Sequence, residues 1–135
     1  MRVYISGKIG EGWAGEATRE KFAAAEAYLK AQGHTIFNPT TSGLGESAEA
    51  LRSLQVRVHN GGDYAQCYML KHYERRSWYS SILLLDLDEL SWCDAVCLLP
   101  DWRQSPGAKV ELAYAQAIGL KVYELSQYQT LIEWK

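Results

Sequence analysis

The chain has 135 residues, of which 47% are apolar and 22% charged; this is the length and composition of one globular domain, and it excludes a disordered or collagen-like chain. Its 14 Lys and Arg against 16 Asp and Glu leave a formal charge of -2. We therefore expect no nucleic-acid partner, because no general positive field exists to attract phosphate backbones. No apolar run approaches the roughly 20 residues of a membrane helix, and no secretion signal follows Met1. The three cysteines are odd in number and form no C-x-x-C pair, which indicates reduced thiols. The expectation is a single cytoplasmic domain over residues 1–135, without a membrane partner.

The first third of the chain predicts a strand, a helix and a second strand. A β-rich run at 2–6 stops at Gly7 and is followed by a glycine-containing loop. Over residues 16–32, Phe22, Ala25 and Leu29 recur at helical spacing, and Gly33 follows where a helix C-terminus prefers glycine. A short strand at 34–37 then ends at Asn38-Pro39. This order predicts a parallel βαβ unit.

The remainder continues the alternation after a Ser-, Thr- and Gly-containing stretch at 40–63, in which 54–58 is interpreted as a strand. Residues 64–90 predict one helix, or two short ones broken near Ser80-Ser81. The apolar run 95–99 predicts a strand buried on both faces. Ser105-Pro106 then begins a helix that ends at Gly119, and a strand follows at 121–124. The pattern predicts an α/β domain with a doubly wound parallel sheet of about five strands, helices on both faces and a ligand crevice beyond the carboxyl ends of its strands.

One carboxylate lies in an unusual place on the last predicted helix. Its inner face comprises Ala108, Glu111, Leu112, Ala115 and Gly119, and all but Glu111 are small or apolar. An ionised carboxylate is costly there unless it has partners or opens onto a cleft, so Glu111 is a candidate for a shifted pKa and a chemical role. The alternative is an ordinary helix glutamate that leans towards solvent or pairs with a lysine.

Other polar and aromatic groups give weaker signals. Asp86, Asp88 and Glu89 suggest a Mg²⁺ site, but such clusters are more often solvated surface, and we expect no metal. The loop after Gly7, with Lys8 as a point charge, has amides for a phosphate but matches no dinucleotide-binding or Walker pattern. Ser105 suits a helix cap or an anion contact, and Trp102 suits ligand stacking or core packing.

Three stretches together resemble the nucleoside 2-deoxyribosyltransferase superfamily. They are Val3 to Gly7, Asn38-Pro39, and Cys93 to Trp102 leading into Ser105-Pro106-Gly107-Ala108-Lys109-Val110-Glu111, whose S-x-G-A-x-x-E pattern is the most specific part. The closest likeness is to the compact phage and bacterial branch, and the chain is also similar to deoxynucleoside 5′-monophosphate N-glycosidases. The resemblance covers about residues 1–10 and 86–123, and is absent across 41–75.

This resemblance implies a flavodoxin-like, dimeric or larger enzyme that breaks the N-glycosidic bond of deoxynucleosides or their 5′-monophosphates without a cofactor. Glu111 stands at the position of the nucleophile, and Asp86, eight residues before Asp94, at that of the companion acid, with Asp88 as the alternative. The residues expected to bind substrate are Tyr4, Ser6, Gly7, Lys8, Asn38, Asp101, Trp102, Ser105 and Gly107.

Two departures leave the need for a 5′-phosphate open. Lys8 favours an anionic substrate, whereas Asp101 opposes one if it points into the site. Hydrolysis and transfer to a second base are equally open. The other functions considered are a nucleotide-binding module without catalysis, and a ribonucleotide or dinucleotide glycohydrolase.

Overall fold

The computed structural model describes residues 1–9, 15–48, 50 and 78–134. The chain divides into two compact units, Met1–Ser42 with Leu87–Lys135, and Gly43–Asp86. The first unit contains the sheet and Glu111. The second contains a helical stretch at 44–48 and the first part of a later helix, and its buried residues include Ala48, Ile82 and Asp86. The assignment of the chain to one domain stays a prediction.

The sheet of the first unit has five strands in the order β2-β1-β3-β4-β5. Strands β1 to β4 are parallel, and β5 joins β4 antiparallel. The strands are β1 Arg2–Ser6, β2 Thr35–Phe37, β3 Ala95–Leu98, β4 Lys121–Leu125 and β5 Leu131–Glu133. Because the strand order reverses direction between β1 and β3, the carboxyl ends of these two strands flank the switch point at which such folds bind ligands. The fold is α/β, doubly wound and flavodoxin-like, as the sequence predicts.

In the described part of the chain, three longer helices and one short 3₁₀ turn accompany the strands. They are α1 Glu16–Ala31, α2 Trp78–Ser91, the 3₁₀ turn Trp102–Gln104 and α3 Pro106–Ala117. Gly33 and Gly119 lie just past α1 and α3 and have φ of 89° and 81°. Glycine adopts this left-handed conformation at the end of a helix without the steric penalty that a Cβ would bring. Along the described parts of the chain, no helix combines the length and the apolar character that a membrane crossing requires.

Helices cover both faces of the sheet. On one face, Phe22, Ala25 and Leu29 of α1 pack on Val3 and Ile5. On the other face, α3 and the end of α2 form a second cluster that includes Tyr4, Leu90, Val96, Leu112 and Ala115. Because side chains alternate along a strand, Tyr4 and Ser6 of β1 point to the α3 face. All four residues of β3 are buried, which confirms the predicted two-sided burial.

Two elements differ from their predictions. The fifth strand is β5, which returns antiparallel after a short turn in which Gln129 has φ of 59°; the strand predicted at 54–58 lies outside the described residues. Of the two alternatives for 64–90, the one with a break near Ser80-Ser81 is wrong, since α2 runs through both serines; the part of this stretch before Trp78 lies outside the described residues. Serine is only slightly worse than leucine inside a helix, and no Gly or Pro interrupts this stretch.

Candidate active site at the carboxyl edge of the sheet

Glu111 projects from α3 onto the end of β1. Its side chain is buried, with 6% exposure. The Tyr4 hydroxyl donates a hydrogen bond to Oε2 of Glu111, and the Ser6 hydroxyl donates to Oε1 at 2.9 Å. Each oxygen of the carboxyl group therefore has a hydroxyl donor, and both donors come from one strand. The inward orientation predicted for Glu111 is confirmed.

Local sequence explains this placement. Pro106 begins α3, and the Ser105 hydroxyl accepts a hydrogen bond from the Ala108 amide at 3.1 Å, which caps the helix. Helical periodicity then directs Glu111 to the same side as the buried Ala108 and Leu112.

The ring of Tyr4 is fixed by its neighbour on β2. Tyr4 pairs with Phe37 in the sheet, and their rings stack with centroids 5.2 Å apart and an interplanar angle of 16°. An offset stack of this kind favours one orientation of each ring. The Tyr4 hydroxyl is therefore held where it meets the carboxyl group of Glu111.

Burial and hydrogen bonding act in opposite directions on Glu111. Burial raises the pKa of Glu111 above its ordinary 4.5, while the bonds from Tyr4 and Ser6 lower it, and the pKa lies at about 7. The group is thus poised between its neutral and ionised forms at neutral pH. A pKa of this kind suits a group that reacts as a carboxylate or exchanges a proton.

The loop that follows β1 is tied to the loop that follows β3. Asp101 accepts a hydrogen bond from the Lys8 amide at 3.0 Å and lies 2.5 Å from Nζ of Lys21. The same Nζ of Lys21 donates to the Lys8 carbonyl oxygen at 2.7 Å. The two loops come closest at Gly7. A Cβ there would come within 2.9 Å of Leu99 and 3.1 Å of the Asp101 carboxylate.

These contacts give Lys8 and Asp101 a structural role beside the substrate-binding role expected from the sequence. The Lys8 amide, a candidate phosphate donor, is already bonded to Asp101, and the Lys8 side chain is exposed. The negative charge of Asp101 is balanced by Lys21, a residue that the sequence analysis did not single out. No local pattern marks Lys21, because it lies 80 residues before its partner.

Three further predicted residues lie just after β2 and at the start of α3. Asn38 is 5% exposed, and its Oδ1 accepts from the amide and the hydroxyl of Thr40 at 2.9 Å and 2.7 Å. Its Nδ2 is buried and has no hydrogen-bond partner among the described residues. Ser105 and Gly107 are buried at the beginning of α3.

The predicted companion acid lies on α2. Asp86 is 6% exposed and is the last residue of the Gly43–Asp86 unit. Asp88, the alternative, is exposed, and Glu89 forms an ion pair with Arg2 at 3.2 Å. Burial therefore distinguishes Asp86 from the other two acids of this stretch.

Trp102 belongs to a separate cluster that the sequence analysis missed. Its indole N–H donates to Oε1 of Glu124 at 3.0 Å, and the indole N–H of Trp134 donates to Oε2 at 3.1 Å. Arg103 adds a hydrogen bond to Glu124 at 3.2 Å, and its guanidinium lies 4.6 Å from the Trp102 ring centroid. Burial alone would raise the pKa of Glu124, but these donors outweigh it and hold the pKa below its ordinary value.

We call Trp102, Arg103, Glu124 and Trp134 the Glu124 clamp. An open cavity of about 380 Å³ lies next to it, lined by Pro100, Glu124, Leu125, Ser126, Gln127 and Ile132. None of its lining residues was predicted from the sequence to bind substrate. The position of Trp102 is that of a core residue packed edge-on against Trp134, with ring centroids 5.7 Å apart.

One family model matches the chain over most of its length. The model of the family described as "Domain of unknown function (DUF4406)" matches residues 1–78 and 75–124. The chain belongs to this family. The DUF4406 match includes β1, α3 and every residue named above as a candidate for catalysis or substrate binding. Among curated proteins and solved structures, none matches the chain.

Proposed function

We propose that this DUF4406 protein cleaves or exchanges the N-glycosidic bond of 2′-deoxynucleosides or their 5′-monophosphates through a covalent glycosyl ester on Glu111. The observation that supports this most strongly is the buried Glu111, whose two oxygens are held by the hydroxyl groups of Tyr4 and Ser6 at the sheet edge. The resemblance carried by the S-x-G-A-x-x-E stretch supplies the substrate class.

In the proposed reaction, the ionised Glu111 attacks the anomeric carbon as the base departs through an oxocarbenium-like transition state. The two hydroxyl donors hold the carboxylate in one orientation, so that little reorganisation is needed as the bond forms. The resemblance gives the position of Asp86 to the acid that holds or protonates the departing base. Water that resolves the ester gives a hydrolase, and a second base gives a transferase.

Substrate recognition in this proposal uses groups in the segments that follow β1, β2 and β3 and at the start of α3. The unpartnered Nδ2 of Asn38 and the start of α3 at Ser105 and Gly107 offer donors to sugar hydroxyls or to a 5′-phosphate. Asp101, with its charge balanced by Lys21, orders the loop at Gly7 and Lys8. We propose no cofactor.

The decisive experiment measures the release of free base by chromatography. The protein is incubated with a panel of deoxynucleosides, deoxynucleoside 5′-monophosphates and ribose analogues, with and without a second base. We expect base release or exchange by the parent chain, with a rate that rises with pH as Glu111 ionises through its pKa of about 7. Glu111→Ala should abolish the reaction, whereas Glu133→Ala, at an exposed glutamate of β5, should not.

Other outcomes identify the alternatives. Full activity in Glu111→Ala would reject the covalent mechanism. Tight binding of nucleotides without turnover would favour a binding module, and activity on ribonucleotides or dinucleotides alone would favour the other class of glycohydrolase.

A further inference from the structure

Lys21 contacts both of the loops that border the switch point of the sheet. It lies in the second turn of α1, and its neighbour Phe22 is fully buried against the sheet, so the backbone of Lys21 is held by a rigid element. Its Nζ lies 2.5 Å from Oδ2 of Asp101, in the loop after β3. The same Nζ donates to the carbonyl oxygen of Lys8, in the loop after β1, at 2.7 Å. One side chain of a helix therefore joins the two loops.

The ion pair of Lys21 and Asp101 binds both backbone polar groups of Lys8. The Lys8 amide donates to Oδ1 of Asp101 at 3.0 Å, and the Lys8 carbonyl oxygen accepts from Lys21. Strand β1 ends at Ser6, whose carbonyl oxygen accepts the Leu99 amide at 2.8 Å. Beyond that point, the ion pair takes the place of a neighbouring strand for the chain that leaves β1.

We propose that Lys21 is a positioning residue for substrate binding, which acts through Asp101 and the Lys8 backbone to hold the loop after β1 in the conformation that receives the ligand. In a doubly wound sheet, ligands bind beyond the carboxyl ends of the strands at the switch point, so the loops after β1 and β3 border the crevice. A loop that is ordered before the ligand arrives lowers the entropic cost of binding and raises the affinity. The inference rests on the proposed function, because it takes a deoxynucleoside as the ligand.

The exposure and the partner of Lys21 indicate a role in binding more than in stability. The side chains of Lys21 and Asp101 are 31% and 27% exposed, and ion pairs this accessible to water contribute little to the free energy of unfolding. Elsewhere on α1, Lys30 pairs within the helix, with Glu26 at 3.2 Å. Lys21 instead pairs with a residue 80 positions away, at the edge of the sheet that also carries the candidate site.

Steady-state kinetics of base release test this role. For Lys21→Gln, we expect KM for a deoxynucleoside to rise at least about fivefold, because only a fraction of the molecules then holds the loop in the binding conformation. The kcat should change by less than about twofold, since the bonds from Tyr4 and Ser6 to Glu111 stay in place. The pH at half-maximal kcat, which the Glu111 pKa of about 7 sets, should not move.

Lys30→Gln is the matched control, because it removes another paired lysine from the same helix, and it should leave KM unchanged. An active parent chain whose KM is unaffected by Lys21→Gln would overturn this inference and leave the proposed function intact. A fall in kcat with an unchanged KM would have the same meaning, since the effect would lie in the chemical step. A parent chain that releases no base would reject the proposed function and this inference with it.

Hydrogen exchange of the Lys8 amide is a second measurement, and it needs no turnover. We expect this amide to exchange at least about fivefold faster in Lys21→Gln than in the parent chain, because Asp101 loses the cation that fixes its carboxylate. Equal exchange rates would overturn the inference, since Lys21 would then not act through the Lys8 backbone. The urea midpoint of Lys21→Gln should stay close to that of the parent chain, and a large fall would assign Lys21 to the stability of the fold instead.

Discussion

At the scale of single residues, the environment of Glu111 favours its neutral form more than water does. Burial disfavours the charge, and the hydroxyl groups of Tyr4 and Ser6 compensate only in part, so the pKa rises to about 7. Such a carboxyl group is costly to the fold when it is ionised, and this cost is measurable without any substrate. Groups with perturbed pKa values of this kind are frequent at reactive sites.

We expect Glu111→Gln to stabilise the protein at alkaline pH and to have little effect in acid. Between the ordinary pKa of 4.5 and the folded pKa of about 7, the unfolded chain loses the proton while the folded protein keeps it. The free energy of unfolding therefore falls as pH rises through this window, by an amount on the order of 3 kcal/mol. Glutamine does not titrate, so at about pH 8 the variant should be more stable than the parent chain by up to this amount.

Urea unfolding at several pH values checks this expectation, with the difference between variant and parent chain as the measured quantity. Glu133→Gln, at an exposed glutamate, controls for the loss of one carboxylate. A stability difference for Glu111→Gln that is the same in acid and in alkali would show that Glu111 is not held as described.

At the scale of elements, the sequence predicted the features that depend on neighbouring residues, such as the ends of helices and the side of a helix that faces the sheet. Ser105 and Pro106 predicted the start of α3, Gly119 its end, and helical periodicity the inward direction of Glu111. Contacts between distant segments of the chain were not predictable in this way. Lys21 meets Asp101 from 80 residues away, and Trp102 meets Glu124 from 22 residues away, and neither pair leaves a pattern in its own segment. The strand β5 was missed for the same reason, since its three residues are defined by pairing with β4.

The close approach of the loops after β1 and β3 makes Gly7 sensitive to substitution. In Gly7→Ala, the new methyl group would lie within 2.9 Å of two carbon atoms of Leu99, a side chain that is 1% exposed and has little room to move. We expect a loss of about 1–3 kcal/mol in the free energy of unfolding, which is the usual cost of overpacking a core. Chemical denaturation measures this loss.

Gly15→Ala is the control for that substitution, because a Cβ at Gly15 meets nothing within 4 Å. The control should cost less than Gly7→Ala. If both substitutions had the same effect, the steric reason given for Gly7 would be wrong.

At the scale of the whole molecule, the Glu124 clamp connects parts of the chain that sequence keeps apart. Trp102 and Arg103 lie on the 3₁₀ turn that leads into Ser105 and α3, Glu124 lies on β4, and Trp134 follows β5. The carboxylate of Glu124 thus joins the C-terminal strand to the turn that precedes the helix of Glu111. Its two oxygens accept hydrogen bonds from separate indole N–H groups, so the link needs a side chain in which both terminal atoms are acceptors.

We therefore expect Glu124→Gln and Trp134→Phe to act on the same interaction. Glutamine has one acceptor oxygen, so one indole N–H loses its partner, at a cost of about 1–3 kcal/mol in the free energy of unfolding. Because the pKa of Glu124 is lowered in the folded protein, the stability contributed by its charge is present above its ordinary pKa and is lost as the pH falls through the folded value. Glu124→Gln should consequently weaken the dependence of stability on pH in acid.

A double-mutant cycle with Trp134→Phe, followed by urea unfolding, should give a combined loss smaller than the sum of the single losses, since each change removes part of one hydrogen-bonded unit. Glu133→Gln, on the adjacent strand, is the control. Strictly additive losses would mean that Trp134 and Glu124 stabilise the protein separately and that the C-terminal strand does not support the turn before α3.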